Sequence, residues 1–511
     1  MDKKEKFAAD IKAGYACNGD SIVLGGAILD GQPVPGAQVK IPLKTMNRHG
    51  LIAGATGTGK TKTLQVISEQ LSQRGVPVLL MDVKGDLSGI AKPGEEKPFI
   101  LERHSKINLP FSAKGFPVEL MSLSQQDGVR LRATVSEFGP VLFSRILDLN
   151  DTQEGVLAVI FKYCDDNQLA LLDLKDLKKA VQYVTEEGKA EIEKNYGKIS
   201  TATTGIIMRK VLELEQQGAD LFFGELSFDI RDLMRVDKNG NGYISIIRLT
   251  DIQDKPKLFS TFMLSLLAEV YGQMPERGDV AKPELVIFID EAHLIFNEAS
   301  KALLDQIENI VKLIRSKGIG IFFVTQNPMD VPEGVLAQLG LKVQHALRAF
   351  TAVDRKAIKL TAENYPVSEY YKTDETITNL GIGEALVTAL NENGIPTPLA
   401  ATMLRSPESR MDILTDSEIS AINNSSDLVR KYSQVIDRES AYEILSRKAA
   451  GMTKEPADET SGRGQEMPQY QSPSRTSYGR SNKTPQDEIV KVLTSATFIR
   501  GVFGILKKVM K

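Results

Sequence analysis

The feature that most constrains the fold of this chain is a glycine-rich segment, GATGTGKT, at residues 54–61. It matches the pattern GxxxxGK[ST] and lies between an apolar run, Gly50 to Ala53, and a helix-like run, Lys62 to Arg74. Glycines let successive backbone N–H groups turn toward phosphates, and the following helix adds the positive end of its dipole. The pattern predicts a nucleotide-binding P-loop in a βαβ unit of an α/β fold, whereas a chance glycine-rich turn would not require the flanking strand and helix.

Individual side chains of this loop are expected to hold a triphosphate and its cation. Lys60 can reach the β- and γ-phosphates, and the hydroxyl of Thr61 can ligate Mg²⁺. The sequence therefore implies ATP and Mg²⁺ as cofactors. The predicted nucleotide contacts come from the loop and the first helical residues, namely Gly54, Ala55, Thr56, Gly57, Thr58, Gly59, Lys60, Thr61 and Lys62.

Two carboxylates, Asp290 and Glu291, end a second apolar run, Leu285 to Ile289. The carboxyl end of a buried strand is where a P-loop fold holds its second acidic element, so we predict that Asp290 holds Mg²⁺ through its water shell. Glu291 would orient and polarise the attacking water. An acidic helix N-cap is the alternative interpretation of this pair, and the P-loop upstream argues against it.

Two further polar residues have a predicted role in hydrolysis. Gln326 follows the apolar run Ile321 to Thr325 and could contact the γ-phosphate, or it could be a plain strand-end turn residue. Arg315 lies near the end of an amphipathic helix-like run, Leu303 to Lys317. It could complement the helix dipole at the surface, or point into a neighbouring subunit's nucleotide site, where such a residue is worth about 10³ to 10⁵ in rate.

The composition is that of a globular protein and excludes several classes. The 511 residues have a formal net charge of −3, which is unlike a protein whose whole exterior coats nucleic acid but is compatible with a local basic pore. Cys17, Cys164 and four scattered histidines form neither a disulfide framework nor a zinc site. No secretory signal and no membrane-spanning run is found, so we expect a cytoplasmic protein with no integral membrane segment.

These motifs together resemble those of the HerA–FtsK superfamily of hexameric P-loop ATPases, and most closely the bacterial HerA-like C-terminal-domain proteins. The matching features are Arg48-His49-Gly50, the P-loop, MDVKGDL at 81–87, IFIDEAH at 287–293, VTQNP at 324–328 and the hairpin GIGEALVTALNENGIPTP at 381–398. The resemblance implies a RecA-like core assembled into a ring. It also implies site roles for Lys60, Thr61, Asp290, Glu291 and Gln326, with Arg315 as a trans-acting arginine and Arg48 as a candidate cis-acting one.

Shifts in composition divide the chain into seven predicted segments. They are an N-terminal β segment (1–45), the first part of the ATPase core with the P-loop (46–103), a helical insertion (104–235), the second part of the core (236–410), a helical tail (411–450), a linker (451–485) and a basic amphipathic helix (486–511). The two core parts imply one mainly parallel sheet built from discontinuous sequence. The linker contains no Leu, Ile, Val or Phe, so nothing offsets its ordering entropy and we predict disorder.

The implied function is Mg²⁺-dependent ATP hydrolysis by a homohexamer that acts as a DNA translocase or helicase-like protein. The alternative is a ring ATPase that drives protein translocation or acts as a nucleotide-dependent scaffold. A pore lined by Lys and Arg would favour DNA, whereas an acidic or apolar pore would favour protein.

Two other motif matches are rejected. DKNGNGYIS at 237–245 begins like an EF-hand calcium loop, but its twelfth position is Arg248 instead of Glu, so we predict an Asn-Gly turn. DEAH at 290–293 spells the motif of another helicase superfamily, but its spacing from Lys60 fits the HerA–FtsK order better.

The segment 486–511 has an apolar stripe opposite basic residues. The stripe could pack on an ATPase core, either its own or a neighbour's. The basic face could instead attach to an anionic membrane surface, or capture a protein partner or nucleic acid.

Overall fold

A computed structural model describes residues 2–253, 255–278, 280–296, 301–434, 436 and 438–451 of the chain. The predicted linker, apart from Gly451, and the predicted helix 486–511 lie outside the described residues. The strands are β1 (Ser21–Leu29), β2 (Gln32–Pro42), β3 (Gly50–Ala53), β4 (Val78–Asp82), β5 (Val118–Ser122), β6 (Val129–Arg130), β7 (Ile244–Arg248), β8 (Leu285–Ile289), β9 (Ile319–Thr325), β10 (Leu341–His345), β11 (Glu384–Thr388) and β12 (Ala400–Leu404).

The helices of the described residues cover both faces of the strands and form the insertion and the tail. They are α1 (Lys3–Gly14), α2 (Lys60–Gln73), α3 (Pro98–Lys106), α4 (Val135–Ile146), α5 (Asp151–Asp166), α6 (Leu174–Tyr183), α7 (Lys189–Asn195), α8 (Thr201–Gln216), α9 (Pro256–Gln273), α10 (His293–Phe296), α11 (Lys301–Ile314), α12 (Glu333–Leu336), α13 (Ala352–Glu363), α14 (Thr373–Asn379), α15 (Asp416–Ser425), α16 (Asp427–Tyr432) and α17 (Ala441–Ala449). Among them, none has both the length and the apolar character needed to cross a bilayer.

The described strands form one sheet in the order β2-β1-β12-β11-β10-β3-β9-β8-β4-β7-β5-β6. From β10 to β6, every pair of neighbouring strands is parallel. Strands β11, β12, β1 and β2 continue the sheet from β10 in antiparallel pairs. The expectation of an α/β fold with a mainly parallel sheet is therefore confirmed.

Both faces of the central strands are buried, which explains their continuous apolar sequences. Along β4, Leu79 and Met81 belong to one hydrophobic cluster, whereas Val78 and Leu80 belong to another on the opposite face. Helix α2 and the β1–β2 hairpin supply the second cluster. Helices α9 and α11 and the helices between 135 and 216 supply the first.

The strand order brings four carboxyl ends together. Ala53 in β3 pairs with Thr325 in β9, Phe323 in β9 with Ile289 in β8, and Ile289 with Met81 in β4. Two strands from much later in the sequence thus lie between β3 and β4. The segments that follow these four strands meet at one edge of the sheet.

The predicted helical insertion, 104–235, is mostly helical but also supplies strands β5 and β6 beyond β7. Strand β5 is hard to recognise from sequence because VELMS has one β-branched residue and a charged one, Glu119. Glu119 is nevertheless buried, because Arg235 forms an ion pair with it and the hydroxyl of Ser426 donates to it. The insertion therefore contributes two strands to the sheet in addition to its helices.

The segment 405–414, which we call the strap, leads from β12 to the tail helices. Lys62 and Gln65 of α2 contact it, because Lys62 Nζ donates to Met411 O at 2.6 Å and Gln65 Nε2 donates to Ser409 Oγ at 2.7 Å. The tail then packs on the insertion, and the backbone N–H of Tyr442 donates to Asp176 Oδ1 at 2.8 Å. The strap therefore joins the P-loop helix to the tail.

Candidate active site

The loop between β3 and α2 has a backbone shape suited to anions. Gly57 and Gly59 have φ angles of 77° and 109°, in the left-handed region that a Cβ disfavours. The loop packs on the end of β10, where a Cβ on Gly54 would lie 2.5 Å from the Cβ of His345. The N–H of Ala55 also donates to Ala346 O at 2.9 Å. These contacts fix the loop before the first turn of α2.

Lys60 is the first residue of α2, and only 7% of its surface is exposed. Its ammonium donates to Gly54 O at 2.7 Å and to Ala55 O at 3.2 Å. Burial lowers the pKa of Lys60 and the charge of Lys84 lowers it further, although nearby carboxylates act in the opposite direction. A positive charge is thus held inside the loop, where phosphate oxygens can serve as alternative acceptors.

Thr61 and Lys62 follow in the first turn of α2 and have different surroundings. Thr61 is half-buried beside Lys60. The ammonium of Lys62 is engaged with Met411 O in the strap. A contact of Lys62 with the nucleotide stays a prediction. The hydrogen bond of Lys62 to the strap does not favour such a contact.

Asp290 and Glu291 lie at the same sheet edge, immediately after β8, with 5% and 4% of their surfaces exposed. Asp290 Oδ1 accepts the backbone N–H of Glu291 at 2.9 Å. Burial and the neighbouring Glu291 carboxylate raise the pKa of Asp290 to about 7. A cation bound here would favour the ionised form.

The carboxylate of Glu291 is held from two sides. Its Oε1 forms an ion pair with Lys84, and its Oε2 lies 3.2 Å from Nδ1 of His293 and 3.5 Å from Nε2 of Gln326. Burial acts to raise the pKa of Glu291, but the hydrogen bond and charge of Lys84, with the charge of His293, outweigh burial and lower it. Glu291 is therefore an ionised carboxylate, the state that a general base needs.

Gln326, directly after β9, lies between the P-loop and Glu291. Its Oε1 is 3.4 Å from Oγ1 of Thr56, and its Nε2 is 3.5 Å from Oε2 of Glu291. These contacts are long and weak, so the amide can exchange them for other partners. The turn beyond it is held by the hydroxyl of Thr325, which donates to Asp330 Oδ2 at 2.8 Å.

The side chains at this edge suit a magnesium–nucleotide complex. The hydroxyl of Thr61 and the carboxylate of Asp290 offer the hard oxygen ligands that Mg²⁺ prefers. Within the part of the chain that the structure describes, no three His, Cys, Asp or Glu side chains gather as a metal site. Mg²⁺ would therefore be held by these two residues together with phosphate and water oxygens, its usual arrangement in nucleotide sites.

Arg48 and Arg315 lie at the opposite edge of the sheet. Arg48 precedes β3 and Arg315 precedes β9, whereas the P-loop and Gln326 follow those strands. The guanidinium of Arg48 lies against Gly394 in the turn between β11 and β12, where a Cβ would be 3.1 Å from Nη1. The seven residues of β9 alone span about 20 Å. Arg48 is separated from the P-loop by the four residues of β3. The cis-acting role of Arg48 and the trans-acting role of Arg315 stay predictions.

Two site residues received no role from the sequence. Lys84 lies in the turn after β4 and pairs with Glu291. His345 ends β10, and its Nε2 lies 2.9 Å from Oγ1 of Thr63 on α2. The MDVKGDL motif could have indicated Lys84, since it follows a strand at the same edge, whereas His345 stands in no recognisable motif.

A parallel sheet with a P-loop after one strand and paired carboxylates after another defines the RecA-like class of P-loop ATPases. Residues 28–510 match the helicase HerA-like C-terminal family. The chain belongs to this family.

Known proteins resemble the chain at low sequence identity. It is 22% identical over 356 residues to the DNA double-strand break repair helicase HerA of Sulfolobus acidocaldarius, covering 68% of this chain and 64% of the helicase. The match thus spans less than two thirds of that relative's length. The bacterial conjugative coupling protein TrwB, solved with sulphate, has the same fold, with a TM-score of 0.53, 16% identity and coverage of 80% of this chain and 94% of TrwB. TrwB in complex with ADP and Mg²⁺ gives a TM-score of 0.50 at 17% identity, covering 78% of this chain and 98% of TrwB.

Proposed function

We propose that this chain is a Mg²⁺-dependent ATPase that forms a homohexameric ring and acts as a DNA translocase or helicase-like motor. The observation that carries the ATPase part is the meeting of the P-loop, Glu291 and Gln326 at one sheet edge, with Gln326 between Thr56 of the loop and Glu291. The cytoplasmic location expected from sequence stays a prediction.

In this proposal each residue has a separate task. Lys60 and the loop N–H groups bind the phosphates, and Thr61 and Asp290 hold Mg²⁺, which neutralises phosphate charge when bound. Glu291 takes the proton of the attacking water. The water oxygen bonds to the γ-phosphorus as the bond to the β–γ bridging oxygen breaks, and ADP and phosphate are released.

The position of Arg315 supports assembly. It is exposed and lies across the sheet from the P-loop of its own subunit. In a head-to-tail ring, the Arg315 edge of one subunit would face the P-loop edge of the next, so that the arginine could stabilise transition-state charge in trans. Arg48 lies on the same edge, and the cis-acting role that the resemblance implies for it stays a prediction.

DNA is favoured as the substrate by the name of one relative, the DNA double-strand break repair helicase HerA. One observation favours the alternative, protein translocation or a scaffold. The insertion 104–235 carries 20 acidic and 16 basic side chains, which is a poor surface for a phosphate backbone. A DNA pore would therefore have to be lined by other segments.

The test is the ATPase rate of the full chain alone and with double-stranded DNA, single-stranded DNA or RNA, at about 50 and 200 mM salt. A DNA motor should be stimulated by one nucleic acid, and the stimulation should fall steeply with salt because phosphate contacts release counterions. Hydrolysis without stimulation by any nucleic acid would favour the protein or scaffold alternative. Absence of hydrolysis would contradict the ATPase proposal.

A further inference from the structure

Lys84 is a second lysine at the phosphate edge, and it forms the ion pair with Glu291. Strands β4 and β8 are parallel neighbours, with Met81 opposite Ile289. Lys84 stands two residues beyond the end of β4, as Glu291 stands two residues beyond the end of β8. The register brings the turns that follow the two strands together, and the ion pair joins Lys84 to Glu291 across them.

The turn that carries Lys84 is built to be rigid. The buried carboxylate of Asp82 accepts three backbone N–H groups, from Gly85 at 2.7 Å, Asp86 at 3.2 Å and Leu87 at 3.1 Å. Gly85 has a φ of 78°, which permits the tight turn. On the other side, the side-chain amide of Gln253 donates to Val83 O. The lysine stem thus leaves a backbone that is fixed on both sides.

This ion pair differs from an ordinary surface pair. The side chain of Glu291 is 6% exposed, whereas that of Lys84 is 41% exposed. Exposed pairs contribute little because both side chains are mobile and screened, but here the carboxylate is buried. Lys84 holds one carboxylate oxygen, and His293 and Gln326 lie near the other. Lys84 is therefore the partner of the one oxygen, while the other has His293 and the weaker contact of Gln326.

We propose that Lys84 is a positioning residue that orients the Glu291 carboxylate toward the attacking water. This inference rests on the proposed ATP hydrolysis and assigns to the MDVKGDL turn a role in the chemical step. Lys84 acts through Glu291 in this scheme, and phosphate binding stays with Lys60. Loss of Lys84 should therefore slow turnover without weakening nucleotide binding.

The test compares Lys84→Ala, Lys84→Met and Lys84→Arg with the wild-type chain for kcat, KM and the affinity for a fluorescent ADP analogue. We expect kcat to fall about 10- to 100-fold for Ala and Met, as for other misplaced catalytic groups. Arg should recover part of the rate because it keeps the charge. The affinity for the ADP analogue should equal that of the wild-type chain within the error of the measurement. Lys84→Met retains most of the apolar stem and covers the case in which Lys84→Ala does not fold.

The matched control is Lys178→Ala, which removes a half-buried ion pair with Glu215 at 2.6 Å in the insertion. It should leave kcat unchanged. The double variant Lys84→Ala with Glu291→Gln separates a positioning role from a merely structural one. Its hydrolysis rate is measured in single turnovers. Since Lys84 acts through Glu291, its removal should cost nothing further in that background.

Three results would overturn the proposal. They are an unchanged kcat in Lys84→Ala and Lys84→Met, a weakened ADP affinity with unchanged kcat, or additive losses in the double variant. The second result would make Lys84 a phosphate ligand. A wild-type chain that binds ADP and ATP but hydrolyses none would contradict the proposed function and this inference together, which separates that failure from the other three.

Discussion

The carboxylate of Glu69, in the P-loop helix α2, accepts the backbone N–H of Ser409 in the strap at 3.0 Å. It also accepts the N–H of Glu408 at 2.8 Å and the hydroxyl of Ser409. One turn earlier, Gln65 donates to the same serine. The helix that begins with Lys60 is therefore bound along its length by the segment that leads to the tail.

Replacing Glu69 by Ala should destabilise the fold. The change leaves the N–H of Ser409, which is buried, and the N–H of Glu408, which is half-buried, without their acceptor, at a cost of about 3 kcal/mol. Urea unfolding would measure the difference in the free energy of unfolding. Gln73→Ala is the matched control, because Gln73 donates only to the side chain of Glu408, at 2.7 Å, and its loss should cost less than about 1 kcal/mol. Equal losses for both variants would contradict a special role for Glu69.

The same carboxylate predicts a pH dependence. Burial raises the pKa of Glu69 from 4.5 to about 7, although the hydrogen bonds from the strap act against this rise. The folded state thus binds the proton more tightly, and stability should fall as the pH rises from about 4.5 to about 7. Glu69→Gln should lack this component, so the difference in unfolding free energy between wild type and variant should change over that interval. A constant difference would argue against the raised pKa.

Lys60→Ala and Glu291→Gln should both abolish turnover, but by different routes. Lys60 binds phosphate, so its loss should weaken the binding of an ATP analogue. Glu291 acts on water, so Glu291→Gln should retain that binding while hydrolysis falls by about 10² to 10⁴. Equilibrium binding and single-turnover rates distinguish the two. Near wild-type hydrolysis by Glu291→Gln would remove Glu291 from the mechanism.

Arg315 should act between subunits. If inactive Arg315→Ala chains are mixed with inactive Lys60→Ala chains, some interfaces would contain an intact Lys60 beside an intact Arg315, and part of the ATPase rate should return. Lys312→Ala is the control, since Lys312 is exposed on the preceding turn and pairs with Glu308. It should be active alone. No recovery in rings verified as mixed would argue against the trans role.

Deleting residues 452–511 should leave basal ATPase activity and nucleotide binding intact. Every residue with a proposed role in phosphate chemistry precedes the strap, and the last described helix, α17, ends at Ala449. The retained chain should therefore keep its unfolding midpoint. Loss of the ring alone would support packing of the 486–511 segment on a core, whereas loss of liposome or DNA retention alone would support an attachment role. Loss of nucleotide binding would show that the catalytic unit extends into the deleted residues.

The P-loop, the paired carboxylates and the mainly parallel class of the sheet were predictable because each depends on local sequence. A glycine at a left-handed position, a helix start and an apolar strand all leave short-range patterns. The contact of Arg48 was not predictable in this way, because its guanidinium lies against Gly394, which is distant in sequence.

Contacts across the sheet were equally inaccessible to sequence reasoning. His49 illustrates this, since its Nδ1 accepts the N–H of Ile321 at 3.0 Å and its Nε2 donates to Val311 O at 2.8 Å. These partners lie more than 260 residues away in sequence, and no spacing rule connects them. The pairing of Lys84 with Glu291 has the same origin, because it follows from the adjacency of β4 and β8.

The pairing of β1 with β12 has a consequence for synthesis of the chain. Gly25 lies opposite Leu404, so the β1–β2 hairpin cannot complete its place in the sheet until Leu404 has been synthesised. Until then β1 presents an unpaired edge of backbone donors and acceptors, which is a site for association with other nascent chains. Such long-range pairing also slows folding, since its loop-closure entropy must be overcome first. The strand order therefore predicts that this edge of β1 is covered only late in synthesis.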